Sequence, residues 1–139
     1  MNSNLILNKI EELINNKKFV ISYRSKNIGL WNQVYNNLNF KSIIYSESFL
    51  DYQKIYHDHF DEIIDISFII LINNKPIGLF PAFFFKKDKK ISYFDNCVFF
   101  PIFLNNENQN TIDLILDKIL SSFKSIRQYF NLKIINFSK

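Results

Sequence analysis

The spacing of apolar side chains divides the chain into three stretches of different period. In the first, apolar residues return every three or four positions. Ser3 or Asn4 can cap a helix carrying Ile6, Ile10 and Leu13 on one side. The segment "KKFVISYR" reads as a short strand. A second short helix, "LWNQVYNNL", places Trp31, Val34 and Leu38 on one face, and "KSIIYS" follows as an extended piece. Residues 48–51, "SFLD", resemble an acidic capping box. Behind them Phe49, Tyr52, Tyr56 and Phe60 recur at 3-4-4 spacing, which predicts an amphipathic helix with that stripe buried.

In the second stretch the helical period disappears. "DISFIILI", the polar "NNKP" and "IGLFPAFFF" read as a β-hairpin, because paired asparagines tolerate the positive φ of a tight turn. "KKDKK" makes a second turn into a third strand, "ISYFD". These strands are apolar on both faces, so both faces should be covered. Pro81 cannot donate a ladder hydrogen bond and marks an edge, a bulge or a strand end.

The third stretch opens with the polar "LNNENQNT", where Asn110 and Asp113 can cap a helix. Ile112, Ile115, Ile119, Phe123, Ile126 and Phe130 then recur at 3-4-4-3-4, the strongest periodicity in the chain. "NLKIINFS" is a last strand, exposed at the end of the sequence and prone to association. Helices, an antiparallel meander, a long helix and a strand make an α+β domain. The 139 residues fit one domain, with residues 1–30 as an N-terminal helix–strand extension.

Charge changes this picture little. The net +4 comes almost entirely from lysines, since Arg24 and Arg127 are the only arginines. A scattered lysine excess reads as a solvated surface, not a DNA-binding face. The single cysteine, Cys97, excludes an intrachain disulfide and a cysteine metal cluster, so a reducing cytoplasm is the default compartment. The N-terminus carries acids where a signal peptide would be apolar, and no apolar run approaches the roughly 20 residues of a membrane span.

The densest polar cluster is "YHDHFDE". His57, His59 and Asp61 imitate part of a zinc-hydrolase motif, but Glu62 stands where a histidine would close it and no third histidine exists. His57 and His59 read better as the wet side of a helix C-terminus. Asp61, Glu62 and Asp65 are either paired carboxylates or a solvated junction, and Asp65 is the notable one because it begins a buried strand. "FFFKKDKK" resembles a single-strand nucleic-acid platform, yet consecutive phenylalanines alternate faces, which favours a plain turn. Cys97 reads as a buried thiol. Gly29 and Gly78 cannot build a phosphate-binding glycine loop, and no serine sits in a nucleophile elbow. "NCVFFPIFL" is a core strand running to a kink, or a cleft lining.

The order of segments resembles a known family. It runs from Trp31 through "IIYSESFLDYQKIYHDHF", "DISFIILINNKPIGLFPAFFF" and "KKISYFDNCVFFPIF" to the long helix and "LKIINFS". Over residues 31–138 it is similar to the N-terminal half of FemAB-like acyltransferases, a branch of the GNAT superfamily of N-acetyltransferases. In that family an aromatic segment opens a helix, as "YSESFLDY" does here. A strand, a tight turn and a strand ending in proline follow, as in "FIILINNKPIGLFP".

The resemblance implies a GNAT-like fold: a central, mostly antiparallel sheet flanked by helices, as one half of a two-domain protein. It also implies transfer of an acyl or aminoacyl group to an amine of a cell-wall or surface-glycan precursor. The complete enzyme would take acyl-CoA or aminoacyl-tRNA. This chain lacks the glycine-bearing pyrophosphate loop, so it is expected to hold no cofactor and to be inactive alone. Its expected partners are a C-terminal GNAT-like half, or a second copy through the exposed strand, and an amine-bearing glycan or peptide precursor. Strand-end position makes Pro81, Tyr93, Asn96 and Pro101 the candidate substrate-binding residues. The competing expectation is a stand-alone, non-catalytic domain for interaction or small-ligand binding.

Overall fold

A computed structural model describes residues 3–92, 101–104 and 107–135. The described elements are, in order, α1 (Ser3–Ile14), β1 (Val20–Tyr23), α2 (Ile28–Asn36), α3 (Glu47–His57), β2 (Ile63–Asp65), β3 (Phe68–Ile72), β4 (Lys75–Phe80), β5 (Phe83–Phe85), β6 (Lys90–Ser92), β7 (Ile102–Phe103), α4 (Gln109–Phe130) and β8 (Ile134–Ile135). The fold class is α+β.

The centre is one long hairpin that belongs to two sheets. Its register runs unbroken from Ile63 opposite Phe85, through Phe68 opposite Phe80, to Ile70 opposite Gly78. Between those pairs both strands break together, at Ile66 and Ser67 on one side and Pro81 and Ala82 on the other. On one side of the break the hairpin lies in the sheet β1-β3-β4-β7, and on the other side in β2-β5-β6-β8.

Proline explains the break. Pro81 has no N–H, so the ladder cannot continue through it. Ser67 repairs the gap: its hydroxyl donates to Ala82 O at 3.1 Å and accepts from Ala82 N–H at 3.0 Å. Ile66 N–H adds a bond to Ala82 O at 3.1 Å. Ser67 and Ala82 are fully buried, so both groups of Ala82 had to find partners inside the protein.

The hairpin tip follows the asparagine rule. Asn73 and Asn74 have φ of 50° and 63°, the two left-handed residues of a tight two-residue turn. A register shift follows between Ile70 and Leu71, next to Pro76. It leaves Ile77 as the extra residue, and its carbonyl accepts from Leu104 N–H at 2.9 Å, beside β7. Gly78 lets β7 approach, because a Cβ there would sit 2.8 Å from Ile102 O and from the Phe103 ring.

The sheet is covered on both faces, as its apolar strands require. Phe68 and Phe80 stack at 4.8 Å across the hairpin, and Phe80 stacks on Phe123 of α4 at 5.6 Å. On the same face Tyr23 reaches α1, donating its hydroxyl to Leu7 O at 2.6 Å. Ser122 ties α4 to α1 through a 3.1 Å bond to Leu13 O. Ile69 and Leu79 point the other way, toward the face covered by α2 and its buried Trp31 and Val34. The 22-residue α4 then carries the chain to β8, which pairs parallel with β6, the one parallel pair among the described strands. A parallel pair needs a long crossover, and a helix supplies it.

Four local expectations require correction. "KSIIYS" is not extended; Ile43–Tyr45 form a 3₁₀ turn capped by Ser42. The cap of α3 is Ser46, which accepts from Phe49 N–H, and Asp51 is engaged elsewhere. The cap of α4 is Asn108, accepting from Asn110 N–H at 2.8 Å, while Gln109 binds Asp113 side chain to side chain. The largest correction concerns the face of α3. Tyr52, Tyr56 and Phe60 are exposed by 62%, 50% and 66%, and Leu50 is the helix's buried residue. Phe49 alone of the stripe packs half-buried against the core, and the helix docks along it, Leu50 and the half-buried His57, whose ring meets Phe85 edge-on at 6.2 Å. Of the two histidines, His59 alone is on the wet side.

Candidate functional site

Three places hold chemistry or space that the packing alone does not use up. The first is a buried ion cluster at the hairpin break. Arg24 leaves the end of β1 with 4% exposure. Its backbone N–H bonds to Ser67 O at 2.8 Å, which fixes the side chain beside the break. One terminal nitrogen donates to Asp65 Oδ2 at 2.6 Å. The other donates to Asp51 Oδ1 at 2.5 Å and to Glu47 O at 3.3 Å, both on α3. Asp65 uses its second oxygen to accept from Ser67 N–H at 2.9 Å. The guanidinium lies 5.9 Å from the Trp31 ring centre.

Burial would push the Arg24 guanidinium down, but the adjacent Asp65 and Asp51 outweigh it and hold it above its ordinary value. Arg24 is therefore a permanent buried cation, and Asp65 is paired, not exposed. The cluster joins β1, β2, α2 and α3 at one point. Both carboxylates hold the guanidinium, while its buried Nε finds no hydrogen-bond partner among the described residues, and these contacts fix the positions of β1, β2 and α3.

The second place is a cleft of about 410 Å³ between the α1–β1 turn, the end of β3 and the first half of α4. Phe19, Ile72, Leu114 and Ile115 line it with apolar surface, and Lys18 and Lys118 stand at its rim. Asn16 and Thr111 complete it. The turn that presents Lys18 is stiff: Asn16 Oδ1 accepts from Lys18 N–H at 2.8 Å and Phe19 N–H at 3.2 Å. A concave, mostly apolar site with few polar groups is the usual form of a small-molecule pocket.

The third place is the outer face of α3. Tyr52 and Tyr56 stack at 6.5 Å, Tyr56 meets Phe60 at 5.8 Å, and Ile55 lies beside them with 66% exposure.

Two of the four candidate substrate-binding residues, Pro81 and Pro101, are among the described residues. Pro81 is buried in the hairpin break, and Pro101 is half-buried just before β7. Tyr93 and Asn96 lie outside the described residues, as does Cys97. The acidic cluster resolves into structure: Asp61 accepts from Lys87 N–H at 2.7 Å and Asp88 N–H at 3.2 Å, closing the turn before β6, and Glu62 pairs with Lys86 at 3.1 Å. Among the described residues no three His, Cys, Asp or Glu side chains are grouped to hold a metal ion. No described helix is long and apolar enough to cross a membrane.

Sequence reasoning missed Arg24, Lys18, Phe19 and Lys118. The available signal for Arg24 was its rarity: an arginine in a lysine-rich chain, next to a strand, is the residue suited to a buried multidentate pair. No comparable signal marks the cleft, whose lining comes from three separate segments. No protein-family model, curated protein or solved structure matches this chain.

Proposed function

We propose that this chain is the GNAT-like N-terminal half of an acyl- or aminoacyltransferase whose acceptor is an amine on a cell-wall or surface-glycan precursor, and that it performs no transfer by itself. The observation that carries the reading is the order and pairing of elements from α3 onward. A helix opened by an aromatic segment leads to a strand, a two-residue turn and a strand that breaks at Pro81. A further strand, a segment through Pro101, a polar spacer and the 22-residue α4 then lead back to a strand parallel to β6. The FemAB-like pattern has this succession. In this reading the break in the hairpin and the strand ends around Pro81, Tyr93, Asn96 and Pro101 form one wall of the acceptor cleft, and the acyl-CoA or aminoacyl-tRNA donor is held by a partner half.

The reading frame past codon 139 tests this directly. A continuing GNAT-like half with a glycine-bearing pyrophosphate loop is the expected result. A stop codon after Lys139, with a stable dimer in solution, would overturn it. Titration of acetyl-CoA against the chain should show no binding, and a Kd below about 10 μM would contradict inertness. A stand-alone interaction domain is the second reading. It is favoured by the exposed aromatic row Tyr52, Tyr56 and Phe60, since large apolar side chains rarely cluster on a surface without a partner.

A further inference from the structure

The cleft between α1, β3 and α4 has a chemistry that acyl transfer does not call on. Its floor is apolar and its depth comes from secondary structure. Phe19 and Ile115 are buried core residues, and Ile72 belongs to the sheet, so the floor is rigid. Leu114 covers one side and remains 56% exposed. Both ionic groups at the rim, Lys18 and Lys118, are cations, and no acidic side chain lines the cleft. Neither ammonium forms an ion pair among the described residues. The half-buried Thr111 adds a hydroxyl. A volume of about 410 Å³ lies within the range of small-molecule sites, about 300–1,000 Å³.

An apolar cleft whose lining includes two lysines and no acidic side chain complements an unbranched alkyl chain with a single anionic head. A cationic amphiphile would meet like charge at the rim, and a polar sugar would leave the floor wet. A nucleotide would call for bidentate donors to its phosphates, and the site offers only two lysines. We propose that the cleft binds a medium-chain fatty-acid carboxylate, the chain lying over Phe19, Ile72, Leu114 and Ile115 and the carboxylate held by Lys18 and Lys118. The site does not depend on the acyltransferase reading; it would serve as a lipid-responsive site on either kind of protein.

The test uses the full chain and a series of monomeric carboxylates, from hexanoate to decanoate, followed by calorimetry and by amide chemical shifts. Affinity is expected to rise about fourfold per added methylene until the trough is full. The shifts should centre on Phe19, Ile72 and Leu114. Replacing both lysines, K18Q with K118Q, should weaken decanoate binding about fivefold or more, and added salt should mimic that loss. Leu114→Glu places a carboxylate on the floor and should abolish binding. Because Leu114 is exposed, this variant is expected to keep the native circular dichroism spectrum. Equal binding of decyltrimethylammonium would overturn the proposal. So would shifts centred on Tyr52 and Tyr56, or an unchanged affinity in the double lysine variant. Binding to anionic vesicles with none to monomeric decanoate would also overturn it, in favour of a membrane-surface contact.

Discussion

The kinked hairpin and α3 are both rich in aromatic residues, and the protein treats them in opposite ways. Phe68, Phe80, Phe83 and Phe84 of the hairpin are at most 1% exposed. Tyr52, Tyr56 and Phe60 in and after α3 are at least 50% exposed. The hairpin strands are sandwiched, so away from the turn alternation sends their side chains to one covered face or the other. The helix touches the body along one side only, and the break in the hairpin dictates which side. Asp51 must reach Arg24, so the helix rotates Leu50 and His57 inward and the tyrosines outward. A polar anchor thus overrides an apolar stripe.

That contrast makes a graded set of expectations. The largest effect should come from Asp65→Ala, which strands the Arg24 charge in the core. A loss of about 3–5 kcal/mol is expected in urea unfolding, and the double variant R24M/D65L should recover most of it. Leu50→Ala removes the one buried side chain of α3 and should cost about 2–5 kcal/mol by the same measurement. Ser67→Ala leaves Ala82 N–H without its partner, while Ala82 O keeps the bond from Ile66 N–H. About 1–3 kcal/mol is expected, with faster amide exchange confined to the break.

Alkaline pH probes the covered face of the sheet. Burial, reinforced by the nearby charge of Glu11, raises the Tyr23 hydroxyl well above its ordinary value. Its contribution is complete below the unfolded pKa of about 10 and is lost as pH rises toward the folded value. Stability should therefore fall above pH 10 by about 1.4 kcal/mol per pH unit from this group. Tyr23→Phe should flatten that slope, which a pH series of thermal unfolding curves would show. The smallest effect is expected on the outer face of α3, where Tyr52→Ser or Tyr56→Ser should change stability by no more than about 0.5 kcal/mol. A loss near that of Leu50→Ala would mean that the tyrosine row is covered in solution.

Much of the fold was legible from short-range patterns. The stripe on α4 predicted its face well: Ile115, Ile119, Phe123 and Ile126 are buried, while the end positions Ile112 and Phe130 are only half-buried. The two-asparagine turn was legible because only a few residue types tolerate its backbone. Pro81 was legible as a discontinuity, although not as the point where one hairpin enters a second sheet. The candidate sites were far less legible. The ion cluster draws on residues 24, 47, 51 and 65, and the cleft on turn, strand and helix positions from residue 16 to residue 118. Neither leaves a local spacing to read.

By itself, the sequence determined the number and type of most elements, the α+β class and the covered state of the central strands. Those depend on interactions between residues a few positions apart, or on the simple excess of apolar side chains. The tertiary structure alone decided which face of α3 is wet and that Asp65 is a buried partner of Arg24. It also decided that His57 packs against Phe85 and that two lysines flank an apolar cleft. Each of these depends on a contact between distant segments, and a contact of that kind has no period for the sequence to display.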